Sequence, residues 1–220
     1  MEFVFVVPRA ELFRDCYPQG LVRFGATFPQ AEFEDVLGRA GFFVEREHAE
    51  RNPDWKQVIP YSVVVREGEV LLLERLARGG ERRLHGKLSI GVGGHVNPED
   101  MPEDSIVGPR AAGARPSPIP GCTRREIDEE LDIRGPWRAR PVGILNDDSN
   151  PVGAVHVGLV QVIVAQGAVE VRERDALDGR FVTPDALRAR LDSGANLETW
   201  SEFLVRHLDE ILPATVTAVS

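Results

Sequence analysis

Cysteine and lysine are nearly missing from this sequence, and so are a long apolar run and a basic charge balance. Cys16 and Cys122 are the only two cysteines. That is too few for a disulfide scaffold and fits a reducing compartment. The opening MEFVFVVPR has a short apolar run broken by Pro8 and Arg9, with Glu2 where a secretory signal would be basic. It reads as neither a signal nor a membrane span, so a cytoplasmic chain with no membrane partner is expected. The formal net charge of −9 excludes the basic footprint of a protein that binds a nucleic-acid polymer. It does not exclude a phosphate-bearing small molecule, because a divalent cation can bridge carboxylates and phosphate oxygens. Lys56 and Lys87 are the only lysines, which we read as codon bias. No internal repeat is visible.

A chain of 220 residues with 42% hydrophobic content can bury one sizeable core. EFVFVV (2–7) is β-prone and stops at Pro8, and Phe33, Val36, Leu37 and Ala40 mark a short amphipathic helix ending near Gly41. RNPD (51–54) is the expected boundary between an N-terminal extension, residues 1–55, packed on the core, and a domain over residues 56–220. QVIPYSVVV, the REGE turn and VLLLERL read as a β-hairpin. ARPVGILN and AVHVGLVQVIVA read as further strands. The second is apolar on both faces and belongs in a sheet covered on both sides. VEVRER (169–174) is a weaker strand. Thr183 before Pro184 caps a helix running to about Leu191, and LETWSEFLVRHLDEIL closes the chain as one amphipathic helix. Residues 101–121 hold five prolines and are expected to form a long loop without regular helix.

Two stretches carry chemistry. GVGGHVNPED (91–100) is a strand exit whose Gly93 and Gly94 let the backbone approach a ligand closely. RREIDEELDI (124–133) is helix-like, and Glu126, Glu129 and Glu130 stand at i, i+3 and i+4, so three carboxylates share one face. Like charges at that spacing repel by a few tenths of a kcal/mol per pair, about as much as opposite charges attract. A hard cation such as Mg²⁺ would offset the repulsion, polarise a phosphoryl oxygen and activate a water. Ile127 and Leu131 would pack on the opposite side, and Arg125 could steady a carboxylate through a charge-assisted fork.

REIDEELDI resembles the second half of the Nudix hydrolase signature, G-x5-E-x7-R-E-U-x-E-E-x-G-U, with U a bulky aliphatic residue. Arg125, Glu126, Ile127, Glu129, Glu130 and Ile133 match it position by position. GGHVNPED resembles the first half, with Gly94 as its glycine and Asp100 where its first glutamate belongs. Between Asp100 and Arg125 lie 24 residues where the signature has 7, so about 17 are inserted, and Asp132 replaces the late glycine. Adding residues to a surface loop costs little free energy each, so the helix glutamates are expected to keep their places.

The resemblance implies an α/β (α+β) fold, a Nudix-like α/β/α sandwich with a mixed central sheet, over roughly Lys56 to Leu212. It implies a pyrophosphohydrolase using Mg²⁺ or Mn²⁺, in which water attacks phosphorus in a nucleoside diphosphate derivative. By carry-over the metal ligands are Glu126, Glu129 and Glu130, with the Gly93 carbonyl and Glu173 (or, less well placed, Glu170) as further oxygens. Glu126 could instead orient or deprotonate the water. Arg125 joins the three glutamates in the catalytic set, and Gly93, Gly94 and His95 form the phosphate-binding turn. The alternative for His95 is an exposed side chain with no role. His156, on a buried strand, reads as a hydrogen-bonded core residue and Cys122 as structural. The family also admits a homodimer. Two other readings compete: a silent nucleotide-binding sensor, which would be expected to lose the box glutamates, and an isoprenoid-diphosphate isomerase, which needs a cysteine motif that Cys16 and Cys122 do not form.

Overall fold

The apolar segment at the start of the chain becomes strand β1 (Phe3–Pro8), followed by α1 (Arg9–Leu12), β2 (Gly20–Arg23), α2 (Gln30–Ala40), β3 (Phe42–Glu45) and α3 (Arg46–Ala49). Then come β4 (Trp55–Arg66), β5 (Glu69–Arg75), β6 (Leu88–Ser89), β7 (Gly91–Val92), a 3-10 turn (Pro98–Asp100) and α4 (Ile119–Glu130). The chain continues through β8 (Leu131–Ile133), β9 (Ala139–Asn146), α5 (Pro151–Ala154), β10 (His156–Val164), β11 (Val169–Val171) and β12 (Leu177–Val182), and ends in α6 (Pro184–Asp192), α7 (Thr199–Arg206) and α8 (Leu208–Ile211). This computed structural model describes residues 1–76, 86–103, 116–172 and 177–213. Two compact units are distinguished: Met1–Tyr61, Gly93–Arg125 and Pro141–Val160 form one, and Ser62–Val92, Glu126–Arg140 and Gln161–Ser220 the other.

In the first unit, β1 pairs antiparallel with β3, Val4 opposite Val44, and with the start of β4, Val6 opposite Gln57. Beyond β4 come β10, β9 and then β2, whose Leu21 lies opposite Leu145 in antiparallel register. The Gln57 amide donates to the Val155 carbonyl, at the entry to β10. The stripe Phe33, Val36 and Leu37 on α2 packs with Phe5, Val7, Val58, Ile144 and Val157 in one buried cluster. Residues 1–55 thus contribute three strands and part of the hydrophobic core to this unit.

In the second unit, β4 turns into β5 through Glu67 and Gly68, both at positive φ (51° and 88°). Positive φ at both central residues is what a tight hairpin needs to match strand twist. Here β12 pairs along β5, from Leu177 opposite Arg75 to Val182 opposite Val70. The Ala165 amide donates to the Val65 carbonyl. At both ends β4 and β10 advance in the same direction, so they are parallel neighbours among antiparallel ones and the sheet is mixed. Every residue of β10 except Val164 is buried, as its two-faced apolar pattern requires. β8 and β11 form a separate antiparallel ribbon, Glu170 opposite Asp132. Among the described residues no helix is long and apolar enough to cross a membrane.

Three local expectations are corrected. The glutamate helix starts at Ile119 rather than Arg124, inside the proline-rich stretch, because Pro120 stands in the first turn, where its missing N–H costs no hydrogen bond. It also stops at Glu130, and Leu131–Ile133 is strand rather than a last helical turn. The closing helix is two: His207 leaves the helical region at φ −117°, separating α7 from α8 although the apolar stripe runs on. Of VEVRER, Val169–Val171 is strand, while Glu173 and Arg174 lie outside the described residues. Residues 104–115 of the insertion also lie outside them.

Candidate functional site

The glycine loop leaves β7 and passes closely beside β4. A Cβ on Gly93 would sit 1.9 Å from the Pro60 carbonyl oxygen, so glycine is needed here for main-chain packing. Pro60 itself stands past the end of the β1 pairing, where its lack of an N–H breaks no ladder bond. Four residues on, Asn97 and Asp100 close a capping box, with the Asn97 amide donating to Asp100 Oδ2 at 2.8 Å.

Asp100 is the hinge between the two separated stretches. Arg125, on α4, forks onto it, Nε to Oδ1 and Nη2 to Oδ2, both at 2.9 Å. Nη2 also donates to the His95 carbonyl at 2.9 Å. The Asp100 side chain is 2% exposed and that of Arg125 25%. The fork expected of Arg125 therefore grips the residue at the position of the first box glutamate. Cys122 is buried, its thiol donating toward the Gly94 and His95 carbonyls. One turn before Arg125, a Cβ on Gly121 would lie 2.1 Å from the Asp100 carbonyl oxygen. Gly121→Ala is expected to cost about 1–3 kcal/mol, the usual range for forcing extra volume into a packed contact, read by chemical denaturation. No change in the midpoint would mean this approach is not tight.

Glu126, Glu129 and Glu130 all lie on α4, with Glu129 exposed and the other two half-buried. The opposite side is anchored by Ile127 and, just past the helix, Leu131, both buried with Val64, Leu71 and Ile163. The helix end is tied down as well: the Arg172 amide donates to the Glu130 carbonyl at 2.8 Å and its Nε to the Leu131 carbonyl at 2.9 Å. Carboxylates at i, i+3 and i+4 of an anchored helix offer oxygen donors of the kind a hard cation such as Mg²⁺ or Mn²⁺ takes, while the ligand grouping within 4.8 Å among the described residues lies elsewhere. Glu173, expected as a further ligand, lies outside the described residues, and Glu170 is ion-paired with Arg134 at 3.2 Å.

The ring of His95 is turned toward His156: their Nε2 atoms are 3.1 Å apart. His156 is buried and hydrogen-bonded, as expected of it, with Nδ1 2.6 Å from the Val152 carbonyl. Burial pushes His95 down to about 3, with repulsion from Arg46 and His156 adding to it. Burial also lowers His156, against the opposing pull of the Val152 carbonyl. Both rings are therefore neutral near pH 7. Glu50, just after α3, brings a carboxylate to the same place, and the three ligand atoms lie within 4.8 Å of one another. Sequence reasoning missed this grouping, and no local signal could have found it. It also missed Lys56, which is fully buried and paired with Asp148 at 2.7 Å, while Tyr17 donates to the same carboxylate. Burial lowers the Lys56 pKa, with Asp148 pulling it back up.

No family model matches the chain. Protein YmaB of Bacillus subtilis (strain 168) is 37% identical over 215 residues, covering 94% of this chain and 98% of that protein. Among solved structures, Tm1382, a proposed Nudix hydrolase, superposes with a TM-score of 0.74 at 25% identity, over 94% of this chain and 98% of its own. End-to-end likeness to Tm1382, with YmaB as a relative of the same extent, shows that the chain belongs to the Nudix family.

Proposed function

We propose that the chain hydrolyses a diphosphate linkage in a nucleoside diphosphate derivative, with water attacking phosphorus beside the carboxylates of α4. The observation that carries this reading is the bidentate Asp100–Arg125 contact, which rejoins a box split by its insertion. Glu126, Glu129 and Glu130 would hold Mg²⁺ or Mn²⁺. When bound there, the cation polarises a phosphoryl oxygen and lowers the pKa of a water. Arg125 is a positioning residue in this reading: by holding Asp100 and the His95 carbonyl it fixes its own turn of α4 against the glycine loop.

Phosphate-product release from sugar nucleotides, ADP-ribose, dinucleoside polyphosphates and nucleoside triphosphates, with Mg²⁺ or Mn²⁺ and with a chelator, tests it. Turnover of one class that stops with the chelator is the expected result. Silence across the panel, with calorimetric nucleotide binding retained, would replace the hydrolase by a nucleotide sensor.

A further inference from the structure

The two histidines and Glu50 lie apart from the glutamates of α4 in sequence, and the proposed hydrolysis does not use them. His156 Nδ1 faces the Val152 carbonyl at 2.6 Å and so carries the proton, leaving Nε2 with a bare lone pair. This is the arrangement by which ligating histidines are commonly oriented, one ring nitrogen on a carbonyl and the other on the metal. His95 Nε2 is aimed at that lone pair from 3.1 Å. Two nitrogens bound at about 2.0–2.1 Å in a tetrahedral zinc site stand about 3.3 Å apart, so the nitrogens already have nearly the separation of a ligand pair and each ring has only to tilt its Nε2 off the line joining them toward a shared cation. On binding, His95 would carry its proton on Nδ1 instead of Nε2. Glu50 completes the set from the surface, where its side chain is 37% exposed and its carboxylate already lies within 4.8 Å of both imidazoles' ligand nitrogens. Arg46 is the cation that would oppose a metal here, and it is already paired with Glu2 at 2.9 Å and with Glu50 at 3.4 Å.

We propose that Glu50, His95 and His156 form a second metal site, selective for a borderline cation such as Zn²⁺, that ties the end of α3 to the glycine loop and β10. Two imidazoles and one carboxylate with a water in the fourth position suit Zn²⁺, whereas the all-oxygen set on α4 suits Mg²⁺. Because the His95 carbonyl is gripped by Arg125, the loop already holds one ligand in place.

The test uses the full-length, chelator-stripped protein and Zn²⁺ alone, with affinity read by competition against a chromophoric chelator and ligand type from the visible spectrum of the Co²⁺ form. One tight Zn²⁺ per chain is expected, weakened about a hundredfold by His156→Gln and about tenfold by Glu50→Gln, scaled from losses of 10–100-fold when even supporting groups are removed. It should be unchanged in Glu129→Gln/Glu130→Gln, which removes carboxylates of the other site. Glu50 is exposed, so its variant reports even if His156→Gln fails to fold. Wild-type affinity in the Glu50 variant, or loss of Zn²⁺ binding in the α4 double variant, would overturn the proposal.

Discussion

Glu130→Gln is expected to lower metal-dependent turnover by about a thousandfold while the protein stays folded. Stabilisation of transition-state charge by a bound cation is worth several kcal/mol, and about 4 kcal/mol corresponds to three powers of ten in rate. Glutamine keeps the size of the side chain and one oxygen, so what is removed is the negative charge that would hold the cation under the proposed function. The fold is carried by the other side of α4, where Ile127 is 1% exposed. Substitutions at exposed positions away from such anchors change stability by about 0.5 kcal/mol or less, and half-buried Glu130 keeps its carbonyl tie to the Arg172 amide in the glutamine variant. Glu129→Gln, on the exposed neighbour, should behave in the same way. Steady-state phosphate release and a denaturation curve for each variant decide the matter. Wild-type kcat in Glu130→Gln would dismiss the metal role of this face, and loss of the folded baseline would show that the charge is structural.

The second large effect is on stability. Arg125→Ala strands the Asp100 carboxylate, buried to 2% exposure, with the Asn97 amide as a poor substitute for a guanidinium. Breaking a buried pair from one side costs about 3–5 kcal/mol, because the remaining charge is left without compensation. Asp100→Asn should cost less: Arg125 is 25% exposed and can turn part of its fork to water. In a chain of this size 1 kcal/mol moves the melting temperature by about 2–4 °C, so Arg125→Ala should melt roughly 10 °C or more below wild type. Arg125→Lys should rescue little, since one ammonium cannot reproduce two parallel N–H contacts. Equal stability of Arg125→Ala and wild type would mean that the fork does not join the two stretches.

The features legible in the sequence were those with a local period. The α2 stripe, the β4–β5 hairpin, the Thr183 cap and the two-faced strand β10 all announce themselves within a dozen residues. The failures share a cause. Pro120 reads as a breaker because composition does not say which turn of a helix a proline occupies. LDI continued a helical period and became strand because Val169–Val171, far along the chain, offered it a partner. The break at His207 left the apolar stripe intact, so periodicity could not register it. In the site, the box residues were readable one by one, but the partner of Arg125 was obscured by the insertion. Glu50, His95 and His156 come from three separate segments and meet only through the packing of β10, the glycine loop and α3.

The close approach of Gly121 to the Asp100 carbonyl has a consequence for engineering. The chain departs from Asp100 and returns at Gly121 through nearly the same point, as at the neck of a purse. A loop closed across two such points lengthens at little cost, each doubling adding only about 0.6 kcal/mol of closure entropy. A folded guest whose own termini are adjacent, such as a small fluorescent reporter, could therefore be grafted within residues 104–115, ahead of Ile119 and the first turn of α4, without prying the box apart.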